Sequence, residues 1–227
     1  MARAIPFILA ILAIGILTMP AQAIVLGLDW GVIDRHTGYN VYASQLGGWF
    51  DTAVLAGSFN GYYGGTLGDP LPPNDGTYFG KTYCVDLADF IQVPTEYEIE
   101  SLQTDALQNG ARAAWLYNHE LPGIGDDMVK SAGLQLAIWN SIYDSDSSIQ
   151  SGTFMARGSA ASLQYADGYL ADMQNAGNLA GEAATYLRPT GCYGQGMLTS
   201  VPEPGTLLLL GSGLGFAGLV FRRKRSS

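Results

Sequence analysis

Apolar and polar positions alternate in several distinct rhythms along this chain. In the first half, aromatic and β-branched residues are interspersed with glycines, as in "GYNVYASQLGGWF" (38–50) and "TAVLAGSFNGYYGG" (52–65), which predicts strands joined by tight turns. "LGDPLPPNDG" (67–76) can only be a loop. "TYFGKTYCVDLADF" (77–90) returns to strand character and puts Cys84 in or next to the strand's end. Helical spacing then takes over. "TDALQNGARAAWLYN" (104–118) predicts a helix with Thr104 as N-cap, and "DDMVKSAGLQLAIWNSIYD" (126–144) predicts a second whose acidic start suits a helix N-terminus. A third amphipathic stretch covers 159–177, and "ATYLRPTGCYGQGMLTS" (184–200) reads as strands again. Strands, then helices, then strands predict an α+β domain, a β-rich sandwich or barrel with a helical insertion. No internal repeat is visible.

Both ends depart from this pattern. Arg3 precedes an apolar run from Ile5 to Leu17 and then "AQA" at 21–23, the layout of a secretory signal peptide cleaved after Ala23. A transmembrane anchor fits less well, because the run is short and Pro6 and Gly15 lie in or beside it. At the other end, Gly205 to Phe221 carries no charge and is followed at once by Arg222, Arg223, Lys224 and Arg225. A helix there would span ~25 Å at 1.5 Å per residue, enough for a bilayer core, with the basic block on the cytoplasmic side. The chain thus divides into a signal peptide (1–23), an exported domain (24–200) and a membrane-directed tail (201–227).

Charge narrows the partners. The exported domain holds 19 acidic residues against six basic ones, so its surface repels nucleic acid phosphates and anionic membranes. Such a balance keeps an exported protein soluble, and it also attracts amine-rich surfaces. No nucleic acid, cofactor or metal partner is expected. Asp144, Asp146 and Ser148 mimic the first ligands of a calcium loop, but Ile149 stands where glycine is required and Met155 where glutamate is required, so an acidic turn closing the helix is the simpler reading.

One polar residue interrupts an otherwise apolar stretch. In "LQLAIW" (134–139), helical spacing puts Ala132, Gln135, Ile138, Trp139 and Ile142 on one face. A glutamine buried there needs partners for its carboxamide or loses its hydration without compensation. Two cysteines in an exported chain first suggest a disulfide, Cys84 to Cys192. A cysteine hydrolase is a further option, with Cys84 as nucleophile and His119 or His36 as base, although no motif links either histidine to the cysteine.

Two resemblances add to these readings. "VPEPG" (201–205), a short apolar helix and a terminal Arg-rich cluster resemble the PEP-CTERM sorting signal of bacteria that make exopolysaccharide. The resemblance implies recognition of Pro202, Glu203 and Pro204 by an exosortase, a membrane protease-transpeptidase, with residues 205–221 as a temporary membrane anchor. "YCV" (83–85) followed by "LQLAIW" resembles the paired motifs of thioester domains in bacterial surface adhesins. That resemblance implies an internal thioester between Cys84 and Gln135, shielded from water by Tyr83, Trp115, Ile138 and Trp139. It further implies one-time covalent capture of an amine on a surface or matrix ligand, without turnover. The residues leave both partners open for Cys84: Gln135 in a thioester, or Cys192 in a disulfide of a purely structural matrix protein.

Overall fold

The computed structural model describes residues 24–34, 37–50, 52–63, 77–89, 95–190 and 194–200. The signal peptide, the 67–76 loop, His36, Cys192 and the tail with Pro202, Glu203, Pro204 and its expected membrane helix lie outside the described residues. In chain order the strands are β1 (Ile24–Ile33), β2 (Asn40–Ala43), β3 (Gly48–Trp49), β4 (Gly57–Tyr63), β5 (Thr77–Cys84), β6 (Thr95–Gln103), β7 (Phe154–Arg157), β8 (Thr185–Pro189) and β9 (Met197–Thr199). Three α-helices lie between β6 and β8: α1 (Gly110–Glu120), α2 (Met128–Tyr143) and α3 (Ala160–Ala176).

Two antiparallel sheets result, the mixed helix-and-sheet class expected from the pattern. In the larger, the pairing order is β1-β4-β5-β9-β8-β6, and β6 pairs back onto β1. The smaller has the order β3-β2-β7. The glycine-rich first half owes part of its composition to close approach. Gly57, at φ +143°, opens β4 opposite Ile33, and a Cβ there would lie 2.4 Å from the Val32 carbonyl oxygen. Any side chain would prise β4 from β1.

The helix of the "LQLAIW" motif begins two residues later than expected. Asp127 is its N-cap, its carboxylate accepting from the main-chain N–H groups of Val129 and Lys130, which satisfies two of the donors a helix start leaves open. The sequence pattern suggested one buried face, yet every residue of α2 from Ser131 to Tyr143 is buried. The cause is its position: α2 packs against α3 and α1 and also against strands β4, β1, β7 and β5. A helix sandwiched in this way has no face left for solvent. Its approach to α3 is close because Gly133 has no side chain; a Cβ there would sit 2.7 Å from Tyr165 Cβ.

The first helix required a correction. Thr104 does not cap α1 but opens a separate 3-10 turn, Thr104–Ala106. Its N–H donates to the Ala184 carbonyl and its Oγ1 accepts from the Ala184 N–H, at 3.2 and 3.3 Å, so the hydroxyl is already committed to the residue before β8, 80 positions away. The α-helix starts only after Asn109, which turns the chain at φ 55°. Strands β1, β6 and β7 fall outside the stretches expected to be strands. Among the described residues, no helix is long and apolar enough to cross a membrane.

Candidate functional site

Cys84 is the last residue of β5 and faces Met197 across the β5–β9 ladder. The ladder continues one step further, with Val85 N–H donating to the Gly196 carbonyl at 2.9 Å. This pairing fixes the main chain of Cys84 in the interior, where its side chain is a free, buried thiol. Gln135 lies halfway along α2 and is equally buried. Between them runs a two-point contact. The Cys84 N–H donates to Gln135 Oε1 at 2.9 Å, and Gln135 Nε2 donates to the Cys84 carbonyl oxygen at 2.7 Å. The carboxamide plane is therefore clamped against the residue that bears the sulfur.

This contact answers the question raised by the buried glutamine. The polar group in the apolar helix is satisfied, by the main chain of one residue 51 positions earlier. It also has a chemical consequence. An N–H aimed at Oε1 polarises the carboxamide carbonyl and would stabilise negative charge on that oxygen if a nucleophile added to Cδ.

The sulfur has its own partners. Cys84 Sγ lies 2.9 Å from Gln195 Oε1 and 3.7 Å from Met197 Sδ. Gln195 precedes β9, and its Nε2 donates to the main-chain carbonyls of Asp86 (2.8 Å) and Asp89. Burial, with a smaller contribution from the Asp86 carboxylate, pushes the Cys84 thiol well above its ordinary range, so the sulfur is protonated at neutral pH. The loop after Cys84 is held by a second tie, Leu87 N–H to the Tyr143 hydroxyl at 3.0 Å.

Beside the sulfur lies a cavity of about 290 Å³, whose lining includes Cys84, Gln195, Phe59 and Trp139 and also the polar residues Thr52 and Asp89. Of the shielding residues suggested by the sequence, Trp139 lines this cavity. Tyr83, Trp115 and Ile138 are buried but are not part of its lining. Tyr83 shares a hydrogen bond with Ser131 Oγ at 3.1 Å, and Trp115 stacks on His119 with ring centroids 4.6 Å apart. A wider, open groove carries the Lys81–Asp126 ion pair and shares no lining residue with the cavity at Cys84.

The remaining candidates do not assemble around the cysteine. His119 pairs with Glu182, Nε2 to Oε1 at 3.0 Å, and its ring lies on Trp115, whereas the sulfur contacts are Gln195 and Met197. His36 and Cys192 lie outside the described residues. The acidic turn is consumed internally. Asp144 accepts from the N–H groups of Ser145, Asp146 and Phe154 at 2.7–3.0 Å and from Thr153, and Asp146 Oδ1 accepts from Ser148 N–H. Burial acts to raise the Asp144 carboxyl, but these donors outweigh it and hold it below the usual carboxylate range. Among the described residues no group of three or more His, Cys, Asp or Glu could hold a metal ion. Gln195 was missed from sequence, where "GQG" offers no signal beyond a turn.

Comparison with known proteins gives two similarities. Residues 200–225 match the PEP-CTERM protein-sorting motif. The N-terminal thioester domain of surface protein from Clostridium perfringens is similar in structure at a TM-score of 0.40 and 14% sequence identity, covering 78% of this chain and 98% of that one. No curated protein matches the chain.

Proposed function

We propose that this chain, whose PEP-CTERM motif at residues 200–225 implies export to the cell envelope or surface with an exosortase as processing partner, is an envelope protein that attaches covalently to amines through a thioester between Cys84 and Gln135. One observation carries the reading: the Gln135 carboxamide is clamped by the N–H and C=O of the very residue that supplies the thiol. Formation balances without any co-reactant. The Cys84 sulfur bonds to Gln135 Cδ, the C–N bond breaks, and the thiol proton leaves with the nitrogen as ammonia. The Cys84 N–H stays on Oε1 throughout. A primary amine then adds to Cδ, the C–S bond breaks, one amine proton passes to the sulfur, and a stable amide remains on Gln135. The cavity beside the sulfur supports this step, because its lining is mostly apolar and its size suits a slender alkylamine.

The competing reading is a matrix protein without chemistry, and it too draws on an observation: the Gln135 carboxamide is satisfied before any reaction. Intact mass separates the two, since a thioester removes one ammonia from the folded chain, whereas a matrix protein with a Cys84–Cys192 disulfide loses only two hydrogens. A cysteine hydrolase would need a base, and His119 is the one for which the described residues supply a position. Replacing it by alanine should leave methylamine capture unchanged within about twofold, because an acyl–sulfur bond is already activated. Complete loss of capture in a folded His119→Ala protein would favour the hydrolase.

Sorting makes a separate prediction. In a cell with an exosortase, cleavage near Pro202, Glu203 and Pro204 should remove the proposed temporary anchor at 205–221 and the basic cluster Arg222 to Arg225. Peptide mapping of the mature extracellular protein should find no peptide beyond the Pro-Glu-Pro. Recovery of the intact C-terminus would instead make the tail a plain membrane anchor.

A further inference from the structure

We propose that Gln195 is a second working glutamine of this site, whose carboxamide oxygen first holds the Cys84 sulfur in place and then accepts an N–H of the attacking amine. The inference rests on the thioester reading and adds a residue to it. The orientation of Gln195 is determined by its surroundings. Both of its amide N–H groups are directed to main-chain carbonyls, Asp86 and Asp89, so the oxygen is the atom that faces the sulfur, at 2.9 Å. Rotating the amide by half a turn would set its oxygen against two carbonyl oxygens. Gln195 and Cys84 also line the same cavity.

An oxygen 2.9 Å from the sulfur cannot be far from the carbon to which that sulfur becomes bonded. In the thiol state it accepts the S–H and directs the sulfur. When ammonia has left, the S–H is gone, and the same lone pairs face the cavity from which the amine arrives. A primary amine can aim its lone pair at Gln135 Cδ while donating one N–H to Gln195 Oε1. As the C–N bond forms, positive charge grows on that nitrogen, and the carbonyl dipole of Gln195 stabilises it. The departing sulfur then takes an amine proton, and the S–H returns to Gln195. No oxidant or added reactant is required. A nucleophile without a hydrogen to donate, such as a thiolate, gains nothing from this acceptor.

That difference provides the test. The full-length protein and its Gln195→Leu and Gln195→Met variants are purified alike, their fold is checked by circular dichroism, and the fraction of thioester is read from intact mass. The rate of methylamine addition per thioester is then compared with the rate of exchange with the thiolate of 2-mercaptoethanol. The expected result is about a tenfold loss in methylamine rate, the equivalent of one hydrogen bond in the transition state, with thiolate exchange changed by no more than about twofold. A folded variant that fails to form the thioester supports the sulfur-holding role. Equal slowing of both nucleophiles, or unchanged rates, overturns the proposal, as does loss of fold in both variants, which would make Gln195 a structural tie for the loop after Cys84. Absence of the thioester from the wild-type protein is a different failure, because it removes the Cys84–Gln135 reading itself.

Discussion

The folded protein should be lighter by one ammonia than its Cys84→Ala variant processed in the same way, once the mass of the substitution is allowed for. A disulfide between Cys84 and Cys192 would instead remove two hydrogens, so intact mass distinguishes the two fates of the cysteine directly. Methylamine should add to the wild-type chain and map to Gln135, being small enough for the cavity at Cys84. Cys84→Ala and Gln135→Ala should each abolish the mass loss and the adduct completely, while Cys192→Ala should leave both in place. The thiol released by capture stays buried, and burial raises its pKa, so the thiolate that reacts with alkylating agents is scarce in the native state. Thiol reagents should therefore count it only after denaturation. A wild-type mass short of two hydrogens, with no methylamine adduct, would reduce Gln135 to an ordinary core glutamine.

A second large effect should appear in stability, and it is asymmetric. Both Cys84→Ala and Gln135→Ala lose the cross-link, so its contribution cancels between them. Cys84→Ala keeps the main-chain N–H and C=O that pair with the carboxamide and deletes one buried sulfur, a loss of roughly 1 kcal/mol on the scale of small core truncations. Gln135→Ala strands two buried main-chain groups, at about 1–3 kcal/mol each, and opens a void inside a helix buried on all sides. The glutamine variant should thus be less stable by about 2–5 kcal/mol than the cysteine variant. Denaturant titration with matched slopes measures this difference. Equal midpoints for the two variants would mean that the two-point contact is not maintained in solution.

The contact also revises the simplest account of the motif. From sequence, a glutamine on an apolar face needs partners for its carboxamide or loses its hydration without compensation. In the structure the unreacted carboxamide already has both partners, supplied by main-chain atoms that no side-chain pattern reveals. What supports the proposed chemistry is orientation: a clamped amide, an N–H on its oxygen and a thiol on the same residue.

Signals that act along the chain were readable from the residues alone. The PEP-CTERM tail is a linear motif, and helices α2 and α3 announced themselves through apolar spacing, α2 also through the acids at its start. Cys84 at a strand end and Gln135 in a buried helix were likewise legible as residue type in local context. Only the tertiary structure decided who meets whom. Thr104 abandoned its predicted cap for Ala184, the thiol found Gln195 at a separation of 111 residues, and α2 was buried on every side. These outcomes depend on sheet register and helix packing. A one-residue slip of β9 against β5 would move Met197 from Cys84 and shift Gln195 off the sulfur, and no stretch of sequence at either position encodes that register by itself.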